Sequence, residues 1–302
     1  MTSEAVALDP GDADRWADVD ALLAEATASD GTSPISDQAL VATRLGKRDL
    51  LSVAEEQGEL AAVGIIGEGE IDMVVRPSCR GRGIGHRLLG ELLVRVGPTA
   101  PLRAWVHGDH PAARALLRGA GFAPVRVLLR LALPPEQLDR AREVLPTRIP
   151  GVTVRTFDPD APDDLPALVA VNAAAFADHP EQGRLTVDDV RALMREAWFD
   201  AEDLLLAIDE ESEAVVGFTW IKTQRTPAVE SELYVLGVDP RVSGRGLGRT
   251  LLAETLRRMA ATKPERITLY VDGENARARN MYERVGFVRE AESTQWERVT
   301  TR

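Results

Sequence analysis

Hydrophobic and polar positions along the chain fall into two rounds of one pattern. In the later round, LLLAID (204–209), AVVGFTWIKT (214–223) and SELYVLGVD (231–239) are short apolar runs that predict strands. A glycine-rich segment follows. RTLLAETLRRMA (249–260) then predicts an amphipathic helix, RITLYVD (266–272) a strand, and ARARNMYERV (276–285) a helix closed by Gly286 and Phe287. Helices precede the strands: DRWADVDALLAEA (14–26) in the early round, and DLPALVAVNAAAF (164–176) with VDDVRALMREAWF (187–199) in the later one. The mixture of hairpin-like strands and β-α-β units indicates an α/β sheet with helices on both faces.

The two rounds are copies. MVVRPSCRGRGIGHRLLGELL (73–93) matches LGVDPRVSGRGLGRTLLAETL (236–256) at an offset of 163, with Gly81, Gly83 and Gly85 on Gly244, Gly246 and Gly248. Downstream, HPAARALLRGAGF and NARARNMYERVGF match at an offset of 165, a two-residue indel. Such register over this distance indicates duplication. The run VRVLLRLAL (125–133) closes the first copy. Residues 134–151 hold four prolines and read as a connector with one helical turn, and a fresh strand, VTVRTF, starts at Val152. The domains are therefore expected at 1–145 and 146–302.

Composition adds exclusions. The 302 residues suit two domains. A net charge of −12 opposes binding to nucleic acid or to an anionic membrane. The longest apolar stretch, near Leu60 to Ile66, is far short of the roughly 20 residues of a membrane helix, and no signal peptide is visible, so a cytoplasmic protein is expected. One cysteine, Cys79, excludes an internal disulfide framework, and four scattered histidines show no metal-ligand spacing, so no metal is expected.

Each glycine loop lies between an apolar strand and an amphipathic helix. Glycines there let backbone approach a ligand, and the first helical turn offers N–H groups and a dipole to an anion; the natural ligand is a pyrophosphate. The spacing is wrong for a Rossmann fingerprint, and no Lys-Ser/Thr pair completes a P-loop. Arg80 to Gly85 instead fits the loop Gln/Arg-x-x-Gly-x-Gly/Ala of the GNAT acyltransferases, and Ser243 to Gly248 fits apart from Ser243 in first place. Asn275, Ala278, Tyr282, Gly286 and Phe287 resemble the pattern that follows that loop in the same family; in the first copy Asn275 becomes His110 and Tyr282 becomes Leu117.

With NAAAFADHPEQG (172–183), EAWFD (196–200), GFTWIK (217–222), ELYVLGVDP (232–240) and DGTSPISDQ (30–38), the chain resembles the tandem-domain GNAT acetyltransferases of mycothiol synthesis. The resemblance implies two GNAT domains, each a mixed, mostly antiparallel sheet with flanking helices. It implies acetyl transfer from acetyl-CoA to the cysteinyl amine of cysteinyl glucosaminyl inositol (Cys-GlcN-Ins), by a protein expected to be monomeric. The acetyl-CoA contacts it implies in the second domain are Leu236, Gly237, Val238, Ser243, Gly244, Arg245, Gly246, Leu247, Gly248 and Arg249, then Asn275, Ala276, Arg277, Ala278, Arg279 and Asn280. In the first domain they are Met73, Val74, Val75, Gly81, Arg82, Gly83, Ile84, Gly85 and His86. Glu232 is the expected base and Tyr282 the acid; Asp37, Glu181, Lys222, Glu232 and Tyr270 are expected to meet the acceptor. On the 163 offset Glu232 falls on Gly69, so the first domain is expected to lack acid and base together. It reads as a domain that binds acetyl-CoA without turnover, or as a scaffold that binds nothing. An N-acetyltransferase for another amine, and a non-catalytic acyl-CoA sensor, stay open at this level. Cys79 is assigned no chemistry.

Overall fold

The computed structural model describes residues 5–9, 12–55, 58–97, 101–145, 148–177, 182–226 and 228–298. In chain order the elements are β1 (Val6–Leu8), α1 (Ala13–Asp30), α2 (Asp37–Arg44), β2 (Asp49–Ala54), β3 (Leu60–Gly67), β4 (Glu70–Val75), α3 (Ile84–Val96), β5 (Arg103–His107), α4 (Pro111–Gly119) and β6 (Phe122–Leu133). They continue with α5 (Leu138–Glu143), β7 (Val152–Thr156), α6 (Asp164–Ala175), α7 (Val187–Leu193), β8 (Leu204–Asp209), β9 (Val215–Gln224), β10 (Glu230–Val238), α8 (Leu247–Thr262), β11 (Arg266–Asp272), α9 (Ala276–Arg284) and β12 (Val288–Arg298). The helices and strands that the sequence predicts are present, with one exception. VDDVRALMREAWF is helical only through Leu193, and EAWFD is a loop.

By compactness the chain forms two units, residues 1–128 with 291–302, and residues 129–290. The expected first domain ended at 145 with its own strand 125–133. Instead β6 passes into the second unit from Leu129 onward, and β12 enters the first unit from Ala291 onward. Prolines mark the connector in the sequence, but which strand a strand pairs with is not a local property.

In the first unit the strand order is β1-β2-β3-β4-β5-β12. Every pairing there is antiparallel except β4 with β5. The apolar run of β3 is buried along its length because helices cover both faces. Trp16, Val19 and Leu22 of α1 pack on Leu50, Val63 and Ile65. Ile84, Leu88 and Leu92 of α3 pack on Leu51, Ala62 and Ile66. Each such buried Leu or Ile contributes about 1.5–3 kcal/mol.

In the second unit the order is β6-β11-β10-β9-β8-β7, with β10 and β11 parallel and the pairs from β7 to β10 antiparallel. Leu247 and Leu251 of α8 pack on Ala207 and Val216. A buried ion cluster ties the edge of this unit together: Arg258 Nε donates to Asp203 Oδ1 at 2.6 Å, and Thr223 donates to Asp203 Oδ2 at 3.0 Å.

Candidate active site

Two parallel strands part at the centre of the second unit. β10 and β11 are paired from Glu230 with Arg266 to Leu233 with Leu269, and no further, although β10 runs on to Val238 and β11 to Asp272. A one-residue bulge lies at the same point. Leu233 and Val235 face consecutive residues of β9, Ile221 and Trp220, so Tyr234 is the extra residue. Backbone groups of β10 from Tyr234 onward on the β11 side thus face an opening rather than a neighbour. Gly237 is required here for packing: a Cβ would come within 2.5 Å of the Phe218 ring.

Glu232 stands at the start of the opening, half-buried. Its cross-strand partner is Lys222 and its parallel partner is Thr268, so Lys222, Glu232, Thr268 and, two residues on, Tyr270 share one face of the sheet. The opposite face belongs to α8, where Thr219 and Thr255 hydroxyls meet at 2.8 Å. Three of the expected acceptor contacts are therefore brought together. Asp37 opens α2 in the first unit, and Glu181 lies outside the described residues.

The loop after β10 has the backbone its glycines predict. Gly244 and Gly246 take φ of +89° and +93°, and α8 begins at Leu247 with no side-chain cap. Leu247 is buried and Gly248 half-buried; Arg245 and Arg249 are exposed. At Ser243, where the family pattern calls for Gln or Arg, the guanidinium of Arg277 donates to Ser243 Oγ at 2.8 Å. α9 thus returns a cation to the place where the loop lacks one. Asn275 caps α9, accepting from the Ala278 N–H at 3.0 Å. Arg279 is turned back onto the carbonyl of Gly273 at 2.8 Å, while Ala276, Arg277 and Asn280 are exposed. Leu236 and Val238 approach Gly248 from below, as does Met281. Tyr282, the next residue, is 7% exposed, and its ring meets Phe287 edge-on with centroids 5.8 Å apart. Burial pushes its phenol above the usual tyrosine value, so it is a protonated donor at neutral pH.

The first unit repeats the backbone with other side chains. β4 and β5 are paired only at Glu70 with Arg103 and Ile71 with Ala104, and then part. Gly81 and Gly83 take φ of +76° and +77°, and α3 starts without a side-chain cap. A cavity of about 340 Å³ fills this opening. It is lined by eight of the nine expected residues, Met73, Val74, Val75, Gly81, Gly83, Ile84, Gly85 and His86. The ninth, Arg82, is held by Glu55 at 2.8 Å instead. Leu117 stands in the wall where the other unit has Tyr282.

One expectation needs correcting. β4 has no bulge, so the sheet register places Glu70, not Gly69, opposite Glu232's position. The first unit keeps that carboxylate but binds it: Arg48, only 10% exposed, donates to Glu70 at 2.8 Å and to Glu68 and Asp72 at 3.2 and 3.3 Å. Arg80, the loop arginine, is likewise committed, in a bidentate pair with Asp30 at 2.7 Å. Burial raises the Asp30 carboxyl, but Arg80 and the nearby His110 outweigh it and hold it below the usual carboxylate value. His107, at the end of β5, is driven down to about 4 by burial and then by His110, so its imidazole is neutral at pH 7. Cys79 is buried and donates to Glu55 at 3.4 Å. Sequence reasoning passed over Trp105, His107 and Asp30, which also line the cavity. The 165 offset, which puts Trp105 on Tyr270, was the available signal.

Residues 18–122 and 171–287 match the acetyltransferase (GNAT) family. Among similar proteins, the mycothiol acetyltransferase of Kineococcus radiotolerans is 42% identical over 285 residues, covering 91% of this chain and 90% of that one. The mycothiol acetyltransferase of Acidothermus cellulolyticus is 38% identical over 292 residues, covering 88% and 86%. Among solved structures, a tandem GNAT protein from the clavulanic acid biosynthesis pathway covers 98% of both chains with a TM-score of 0.73 at 18% identity. A GCN5-related N-acetyltransferase from Sphaerobacter thermophilus gives 0.65 at 22% identity, covering 98% and 95%. The two structures speak to the fold.

Proposed function

Since the chain belongs to the GNAT acetyltransferase family, among its mycothiol acetyltransferases, we propose that it moves an acetyl group from acetyl-CoA to the cysteinyl amine of Cys-GlcN-Ins, giving mycothiol and coenzyme A. The observation that carries this reading is the parting of β10 from β11 beside an uncapped, glycine-initiated helix, with Glu232 at the fork and Tyr282 buried on the following helix.

The residues divide the work as follows. The loop Ser243 to Arg249, with Arg277 beside Ser243, receives the pyrophosphate on backbone N–H groups and guanidinium charge. Leu236 to Val238 present strand N–H groups that polarise the thioester carbonyl. Glu232 takes the proton from the amine, directly or through a water. An α-amine has a pKa of about 7.7–8.0, so modest help suffices. The nitrogen forms its bond to the carbonyl carbon, the C–S bond breaks, and Tyr282 returns a proton to the sulfur. Lys222 and Tyr270, on the Glu232 face, donate to the oxygen-rich acceptor.

The second unit, residues 129–290, is read as the catalytic one. The first unit is read as a second acetyl-CoA site without turnover, supported by the shared loop geometry and by the loss of a usable base and acid. The protein is proposed to act in the cytoplasm as a monomer and to need no metal; light scattering on the pure protein tests the monomer. Purified protein should release coenzyme A thiol with Cys-GlcN-Ins, with free cysteine and glucosaminyl-inositol poorer by orders of magnitude, because remote binding energy must aim the amine rather than the sulfur. Mass spectrometry with thiol titration checks the product, since an N-acetyl product keeps its own thiol. Acetylation of an unrelated amine, with Cys-GlcN-Ins untouched, would reduce the reading to an acetyltransferase of another substrate.

A further inference from the structure

The loop EAWFD has no part in the chemistry above, yet its side chains reach the acceptor face. Trp198, 8% exposed, packs on Tyr234 with centroids 5.3 Å apart and on Trp220 at 5.6 Å. The Lys222 ammonium lies over the Trp198 ring, 5.5 Å from its centroid. That is within the range of a cation–π contact. Asp200 pins the loop, accepting from the Glu202 N–H at 3.0 Å and from Arg225 and Arg258 at 3.5 Å.

This arrangement belongs to one unit. Tyr234 is the bulged residue of β10, and the bulge is what adds it to the aromatic group. By register, the first unit has Gly67 where Lys222 stands and Ile65 where Trp220 stands, on an unbulged strand pair. The aromatic group therefore accompanies Glu232 and not the clamped Glu70. Lys222 sits directly across the strands from Glu232. The Trp198 face under the ammonium restricts the places its flexible stem can take.

We propose that Trp198 is a positioning residue for the acceptor: its indole face fixes the Lys222 ammonium on the Glu232 side of the sheet, where it receives the hydroxyl oxygens of a polyol. The proposal rests on the function proposed above. Steady-state kinetics on Trp198→Leu should show the acceptor KM raised roughly tenfold with the acetyl-CoA KM unchanged, and Trp198→Phe should recover to within about threefold of wild type. Trp198→Leu and Lys222→Met should be non-additive, the double variant matching Lys222→Met alone. A purely packing role would raise both KM values or give additive losses, and either result overturns the proposal.

A second measurement is independent of turnover and of the stability of Trp198→Leu. The chain has three lysines, Lys47, Lys222 and Lys263. With 13Cε-labelled lysine, the wild-type Lys222 resonance, assigned by its loss in Lys222→Met, should carry an upfield ring-current shift that falls in Trp198→Phe. An unshifted Lys222 signal overturns the positioning role whatever the substrate. Failure of the wild type to acetylate Cys-GlcN-Ins strikes the proposed function instead.

Discussion

The two units share a backbone and differ in what it carries. Both part a parallel strand pair next to a helix that two left-handed glycines initiate without a side-chain cap. In the second unit the fork holds Glu232, a bulge, an aromatic group and a buried tyrosine. In the first it holds Glu70 clamped by Arg48, a regular strand and Leu117. The loop arginines differ in the same sense, Arg80 and Arg82 being spent on Asp30 and Glu55. A nucleotide loop is mostly backbone and survives wherever the glycines survive. The catalysis proposed for the second unit depends on a few side chains, and the first unit has an arginine on one of their counterparts and a leucine in place of another.

The largest expected effect sets loop against loop. Gly246→Glu places a charge and a disfavoured backbone where the pyrophosphate is expected, and turnover should be lost; Gly83→Glu should leave turnover largely intact while emptying the first unit of nucleotide. Equal losses in two folded variants, by coenzyme A release and nucleotide titration, would erase the functional asymmetry. Next, Glu232→Gln should lower kcat/KM on the order of 10²–10⁴-fold, part of it returning at high pH as the amine deprotonates unaided. Wild-type rates at neutral pH would remove Glu232 from the mechanism.

Tyr282→Phe should cost less, because a thiolate already leaves tolerably. Its second signature is in stability. The folded phenol titrates above the unfolded value, so its contribution is complete below about pH 10 and is lost as pH rises beyond it. Denaturation curves should fall between pH 10 and 11 in wild type and fall less in Tyr282→Phe. The smallest effect on activity belongs to the first unit. Arg48→Gln in the Glu232→Gln background should add no turnover, since Leu117 still supplies no proton, yet it should destabilise by about 3–5 kcal/mol by stranding buried carboxylates. A gain in rate there would mean that the clamp alone silences the unit.

Much of this was legible in the chain. The repeat, the glycine loops and the strands flanking them follow from apolar runs and spacing. The Tyr234 bulge was not. It inserts one residue into β10 alone, so an offset counted from the glycines slips by one at Glu232 and lands on Gly69. EAWFD was conspicuous as a string but was read as helix, because its apolar spacing continues α7. The turn ends that helix at Leu193, where Trp198 and Phe199 pack on β9 instead. Ser243 departs from the family loop in the sequence, and the guanidinium beside it comes from Arg277, 34 residues later, which spacing alone does not show.

The last strand has a consequence for synthesis. Ser293 pairs with His107, 186 positions earlier, and Glu297 with Arg103. While the chain is still on the ribosome, β5 has emerged long before its outer neighbour exists. The first unit must therefore wait, with an open edge, until β12 has been made. A chain cut between residue 145 and the start of β12 would be not a smaller working half but a sheet one strand short, prone to capture another copy's β12 or to aggregate. Only a chain that has been extended through β12 can cover the edge that β5 creates.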